Sequence, residues 1–441
     1  MNLILVHGLG GRSDLPVPLW LALYGGGAAI VLSFAILAVF WKSPKLHGDT
    51  AGRPLPQVLE RLAGARATRL ALRALGLVLT ISLIGVAAFG STDAFANPAP
   101  VWFYVWFWVG LVPASLLFGP VWRLLNPLRT LSVLLARVSG SRGGEGHLEI
   151  PARVGVWPAA VGLTVFVWLE LVFQDPSRPM IVLLFLVLYG GPNLVAASLY
   201  GERWFAQGDG FEVYSTLLAS MSPLGRRADG RLVVRNPLDG LAAVRPVPGL
   251  VAVVAVLLGS TAFDGLTRTA PWTSLTQSQS TLSNLLIGTT GLAGSIVFVA
   301  VTFVAASRFS RRFVADSSPG LEQSFVHSLM PIVVGYTLAH YFSLLMFEGQ
   351  NGYILASDPF ARGQNLFGTA DWAINYTWVS TSAIALVQVA AIVIGHVVAV
   401  ISAHDRAAVI FPRRDITRAQ YSLLAAMVAY SVGGIALLVG T

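Results

Sequence analysis

Long apolar runs separated by short polar connections set the pattern of this chain. The runs fall at residues 19–40, 70–90, 101–122, 154–174, 179–200, 249–265, 284–307, 324–348, 376–402 and 420–440. A helix needs roughly 17–25 apolar residues to cross the hydrocarbon of a bilayer. Inside hydrocarbon every backbone N–H and C=O must be satisfied within the fold, so such runs form helices. The pattern predicts an all-α integral membrane protein. It would be one polytopic domain over residues 1–441, a bundle of about ten transmembrane helices.

The connections alternate in charge. Lys42, Lys45, Arg53, Arg61, Arg66 and Arg69 follow the first run, and Arg123, Arg129, Arg137 and Arg142 the third. Arg203, Arg226, Arg227, Arg231, Arg235 and Arg245 follow the fifth. Arg308, Arg311 and Arg312 follow the seventh, and Arg406, Arg413, Arg414 and Arg418 the ninth. The intervening connections, such as STDAFANPAP, hold at most a lone arginine. Short basic loops are retained in the cytoplasm. The alternation therefore predicts both termini outside and a multi-pass protein of the plasma membrane.

Three connections are longer. Residues 123–150 and 201–248 would be cytoplasmic loops and 349–375 an extracellular cap loop. In the first, Asn126-Pro127 ends the third run. Arg129 and Arg137 beside Leu131, Val133, Leu134 and Leu135 then predict a helix lying at the headgroups. A Gly-rich SRGGEG stretch follows it. In the second, Asp229-Gly230 suits a hairpin turn before a short strand. The first five runs cross opposite to the last five, as in transporters built from inverted repeats, but no motif recurs in both halves.

Composition narrows the class. The chain is 55% hydrophobic and 11% charged, with a mean hydropathy of +0.70, outside the range of soluble domains. With no cysteine, disulfides, thiolate metal sites and a cysteine nucleophile are excluded. The net charge of +8 resides in the loops, so it reads as attraction to anionic lipid and not to nucleic acid. The N-terminal LVHGLGG matches an α/β-hydrolase oxyanion loop, but the G-x-S-x-G nucleophile elbow is absent. No cleavable signal peptide is expected there.

Candidate chemistry centres on the eighth run, FVHSLMPIVVGYTLAHYFSLLMFEGQ, which carries His327 and His340 inside and Glu348 at its far end. Ionisable groups at membrane depth face protein or water, which places this helix in the middle of the bundle. At about 1.5 Å per residue, His340 lies roughly 24 Å from the cytoplasmic end, level with Glu170. Asp264 and Glu348 end their runs on the same side, and His7 and Asp14 precede the first run there. Imidazole and carboxylates at one level suit either a metal site or an acid–base pair. They equally suit a His340–Glu170 tie between helices, with Asp264 and Glu348 wet at the interface. Tyr336, one turn below His340, would either orient it or simply pack. His327, His396 and His404-Asp405-Arg406 form an inner group, read as a proton path or as structural histidines with His404 capping its helix. Pro192-Asn193, after two glycines, would break the fifth run, for binding or for close packing. Trp102, Trp106 and Trp108 read as an outer aromatic belt.

Taken together, HGLGGRSDLPVPLW, NPAPVWFYVWFWVGL, LLGSTAFDGL, PIVVGYTLAHYFSLLMFEGQ, NLFGTADW and IGHVVAVISAHDRA resemble the polytopic actinobacterial membrane proteins labelled fenitrothion hydrolase, along nearly the whole chain. The stretches cover His7, Asp14, Asp264, His340, Glu348, Asp371, His396 and His404. The resemblance implies hydrolysis of an organophosphate-like ester. The expectation is then a membrane-embedded hydrolase of small apolar phosphotriesters with an outward-facing site. Glu170, His340 and Asp264 would be catalytic, and a divalent metal on His340, Glu348 and His7 would activate water. The alternatives are a transporter, a metal- or proton-handling protein, or a non-catalytic subunit bound to a partner in a membrane complex. In each case His340 is expected to be buried against an outer carboxylate, Glu170 first.

Overall fold

The computed structural model describes residues 19–138, 146–314 and 320–439. Helices α1 (Leu19–Phe40), α2 (Gln57–Gly64) and α3 (Arg66–Phe89) open the chain, and a π-helical segment Val101–Val109 runs into α4 (Leu111–Phe118). Then come α5 (Val121–Leu125), α6 (Pro127–Val138), α7 (Trp157–Leu171), α8 (Pro179–Tyr200), α9 (Phe205–Gly208), α10 (Gly210–Ala219) and α11 (Pro237–Ala242). The rest is α12 (Leu250–Thr267), α13 (Ala270–Thr276), α14 (Thr281–Phe309), α15 (Leu321–Phe325), α16 (Met330–Ala356), α17 (Thr381–Ile410) and α18 (Tyr421–Val439). Strands β1 (Arg53–Pro54), β2 (Leu224–Arg226) and β3 (Leu232–Val234) form one antiparallel sheet in the order β1-β3-β2.

The fold is all-α apart from that sheet. Nine helical stretches among the described residues are long and apolar enough to cross a membrane. The run at 154–174 gives a shorter apolar helix, α7, bounded by Pro158 in its first turn and by the Gln174-Asp175-Pro176 turn after it. The central helix is α16: 14 of its 27 residues are buried, whereas in α3 only Gly76, Val86 and Ala87 are. It packs closely on α17 because glycines face each other there. A Cβ on Gly395 would fall 2.6 Å from the Pro331 carbonyl oxygen and 3.2 Å from the Gly335 Cα. Small residues that let two backbones approach are the usual means of association in an apolar solvent.

The basic connections gather on one face. β1, from the first, pairs with β3, from the connection after α8. The Asp405 carboxylate near the end of α17 accepts from Trp41 Nε1 at 2.9 Å and Lys45 N at 2.6 Å, and Arg406 donates to the Ala242 carbonyl at 2.9 Å. The β2–β3 turn contains Asp229-Gly230, with Gly230 at φ +85°, a conformation glycine adopts without steric cost. The arginine-poor connections meet on the opposite face, where Trp102 Nε1 donates to the Gly352 carbonyl and Gln174 to that of Thr281.

Three expected features differ. α8 is not broken: it runs through Pro192, where Asn193 Nδ2 donates back to the Tyr189 carbonyl at 2.9 Å. α16 continues to Ala356, so the cap begins at Ser357 and not at 349. The cap is tied by Ser357 Oγ to Thr369 Oγ1 at 2.6 Å and by Asn375 N to Gln350 at 3.0 Å. The third difference is in residues 201–248, which are more than a surface loop. Gly201, at φ +75°, reverses the chain and α10 packs back among the long helices. Phe211 meets Phe107 and Phe166, Tyr214 meets Trp108 at 4.8 Å, and Ser215 Oγ meets Ser115 Oγ at 2.8 Å.

Candidate functional site

α12 and α16 bring Asp264 and His340 into direct contact on the face opposite the basic one. Asp264 Oδ2 pairs with His340 Nε2, and both side chains are buried. Arg268, one turn along α12, holds its Nη2 3.6 Å from Asp264 Oδ2 and 3.4 Å from His340 Nε2. The i,i+4 spacing puts acid and guanidinium on one helix face. The guanidinium is the most exposed member of the cluster, at 23%.

Glu170 stands beside this group. Tyr341, the neighbour of His340, donates its hydroxyl to Glu170 Oε1 at 3.0 Å. Glu170 Oε2 is buried with no hydrogen-bond partner among the described residues. Glu170 lies within electrostatic reach of Asp264. The π-helical segment forms the wall. Its widened turn, closed by Gly110 N on the Val105 carbonyl at 3.0 Å, buries Phe103, Tyr104 and Trp108 together, and Trp108 sits against Tyr341. Isolated π turns in helices recur at functional sites.

The structure corrects the sequence expectations at several points. His340 is buried against a carboxylate, but that carboxylate is Asp264, while Glu170 is held by Tyr341. Arg268 and Tyr341 were not anticipated. Glu348 is half-buried and bonded to Asn351 Nδ2 at 3.3 Å, away from His340; eight helical residues separate the two, about 12 Å along the axis. His7 and Asp14 lie outside the described residues. Among the described residues no group of three or more His, Asp or Glu is gathered closely enough to hold a metal ion. Tyr336 does not orient His340; its hydroxyl donates to the Tyr430 carbonyl at 2.8 Å. Trp108 is buried, whereas Trp102 and Trp106 are partly exposed and bonded to the Gly352 and Gly349 carbonyls.

The inner histidines are tied to backbone. His396 Nδ1 contacts the Ile392 carbonyl at 2.9 Å. His404 does not cap α17, which runs on to Ile410. Its Nε2 meets the Trp41 carbonyl at 3.0 Å and its Nδ1 the Gln420 amide at 3.2 Å. His327 is buried in the turn before α16.

A second polar cluster escaped the sequence reading. Arg129 is buried within the protein, donating from Nε to Glu212 Oε2 at 2.7 Å and from Nη2 to Oε1 at 2.6 Å. Glu202 joins Arg129 at 3.4 Å to Arg73 at 3.6 Å. Asp209 caps α10 and accepts from Tyr189 Oη at 2.5 Å, Asn126 Nδ2 at 2.7 Å and Trp122 Nε1 at 3.2 Å. The available signal was Asp209 and Glu212, three residues apart at the head of an apolar helical stretch.

No protein-family model, curated protein or solved structure matches the chain.

Proposed function

We propose that this is a multi-pass plasma-membrane protein that binds and releases a proton at the Glu170–Asp264–Arg268–His340 cluster. In this reading the chain crosses the bilayer about ten times, with α7 as the short tenth crossing. The basic face is cytoplasmic and both termini are outside. The observation that carries it is the close approach of two buried carboxylates. Among the described residues, Asp264 is paired with Arg268 and in contact with the His340 imidazole, and Glu170, held by the Tyr341 hydroxyl, stands beside it. An uncompensated charge buried in low dielectric costs several kcal/mol. A proton on the imidazole or on a carboxylate lowers the cost of holding two carboxylates in one buried place, and its departure restores that cost. Intramembrane groups of this kind serve as relays in pumps and transporters.

The test is infrared difference spectroscopy of the purified protein between acid and alkaline pH. The wild type should show the loss of a single buried proton. Glu170→Gln and His340→Gln should each remove or displace that signal. An unchanged difference spectrum in both variants would refute the proposal.

A second reading, ester hydrolysis, is favoured by the His340–Asp264 contact. A carboxylate that orients an imidazole lets it take a proton from water. Water oxygen would attack the phosphorus of an apolar triester arriving from the bilayer. The ester oxygen would leave as alkoxide and recover the proton. Here His340→Gln should lower triester turnover by roughly 10²–10⁴-fold. Absence of turnover by the wild type, with and without added divalent metal, removes this reading.

A further inference from the structure

The segment between α1 and α3 was expected to be a plain basic loop, yet it contains α2, and none of its residues is buried. Val58, Leu59 and Leu62 are 66%, 50% and 58% exposed. At about 100° per residue their side chains fall in one arc roughly 100° wide. Glu60 points away from that arc and anchors the helix to the sheet. Its Oε1 accepts from Leu232 N at 3.2 Å and its Oε2 lies 3.6 Å from Arg231 Nε. The helix is thus fixed by its polar side, with its apolar side turned outward. Arg53, Arg61, Arg66 and Arg69 surround it, all exposed.

What covers the arc follows from where α2 stands. Ala65 alone separates it from α3, whose own exposed side is apolar, with Leu75, Val78 and Leu79 about half exposed. A short amphipathic helix at the basic end of such a span lies at headgroup depth. We infer that α2 is seated in the cytoplasmic leaflet of the chain's own bilayer. Val58, Leu59 and Leu62 enter the acyl boundary and the four arginines hold anionic lipid headgroups. This rests on the bilayer placement proposed above and not on the proton site. Because β1 immediately precedes α2 and Glu60 holds β3, the seating also fixes the sheet on the membrane.

The chain has no cysteine, so single cysteines can carry a spin label in the full-length protein. Leu59→Cys, Val58→Cys, Ala228→Cys and Val78→Cys are labelled in nanodiscs of phosphatidylcholine, alone or mixed equally with phosphatidylglycerol. Labels at 58 and 59 should collide with oxygen and be shielded from a water-soluble nickel chelate, while 228 behaves oppositely. Nickel reaching 58 and 59 as freely as 228 in both lipids overturns the inference and leaves the arc to a soluble partner. Nickel reaching 78 as well would instead overturn the bilayer placement. Spin-labelled phosphatidylglycerol should be enriched around the protein over phosphatidylcholine. Replacing Arg53, Arg61, Arg66 and Arg69 by Gln should reduce that enrichment, by up to about fivefold per arginine. Enrichment unchanged by the four substitutions overturns the anionic-lipid assignment.

Discussion

Arg129→Met should be among the most damaging substitutions in the chain. Arg129 and Glu212 are joined by two short charge-assisted hydrogen bonds, and their side chains are only 7% and 1% exposed. Without the guanidinium, Glu212 keeps one neutral donor, Asn126 Nδ2 at 3.2 Å. Removing one partner of a buried pair costs about 3–5 kcal/mol, because the remaining charge is stranded. The Arg129–Glu202 contact, with Glu202 30% exposed, adds at most about 1 kcal/mol. At about 2–4 °C per kcal/mol, the melting temperature in detergent should fall by roughly 6–20 °C. Tryptophan emission can follow the melt, since Trp122 donates to Asp209 within the same cluster. Adding Glu212→Gln to Arg129→Met removes the stranded charge and should recover much of the loss, giving a coupling energy on the order of 1–3 kcal/mol. A drop below about 2 °C for Arg129→Met, or a double variant melting at the sum of the two single losses, would refute the reasoning.

Further outcomes follow from other contacts. Tyr341→Phe deletes the hydroxyl that donates to Glu170 at 3.0 Å and should cost about 1–3 kcal/mol, read from the same melting assay, while Glu170→Gln in that background should recover part of it. Gly395→Leu drives a side chain into the Pro331 carbonyl and should destabilise by at least about 1–3 kcal/mol, seen as early aggregation on size-exclusion after heating. In the β2–β3 turn, the Arg227 guanidinium and the Arg231 N–H hold the Asp229 carboxyl down at about 2. Its folded value is depressed, so its contribution is complete above the ordinary carboxylate value of 3.8 and is lost as pH falls through about 2. Amide exchange at Arg231, corrected for its intrinsic rate, should accelerate over that window and not above it.

The long helices were legible because hydrocarbon tolerates only continuous apolar helix, so each helix fit to cross it is written out as an apolar run in the chain. Ends were less legible. Gln350 and Asn351 read as loop residues, yet α16 continues through them, since Gln350 donates to the Met346 carbonyl and Asn351 to Glu348 within the helix. The level of the polar site could be counted along the helices, and it places His340 beside a carboxylate. Height carries no azimuth, however, so choosing between Glu170 and Asp264 required the packing of α7, α12 and α16. Arg268 looked like a loop charge because it lies just past the apolar run, although α12 carries it to the rim of the cluster. Arg129, Asp209 and Glu212 were hidden for a different reason. They sit in connections, and only the reversal at Gly201 returns Asp209 and Glu212 to the interior, where Glu212 meets Arg129.

The three-stranded sheet constrains how the chain is made. β1 leaves the ribosome early, but its partner β3 follows only after five of the ten apolar runs have been synthesised. Closing so long a loop is entropically unfavourable until the intervening helices have shortened the distance between its ends. The β1–β3 pairing is therefore a late event in biogenesis, completed after the first five long helices have been synthesised. A chain truncated after α8 and before β3 should leave residues 51–64 open to protease in the translating cell, and one extended past β3 should close them.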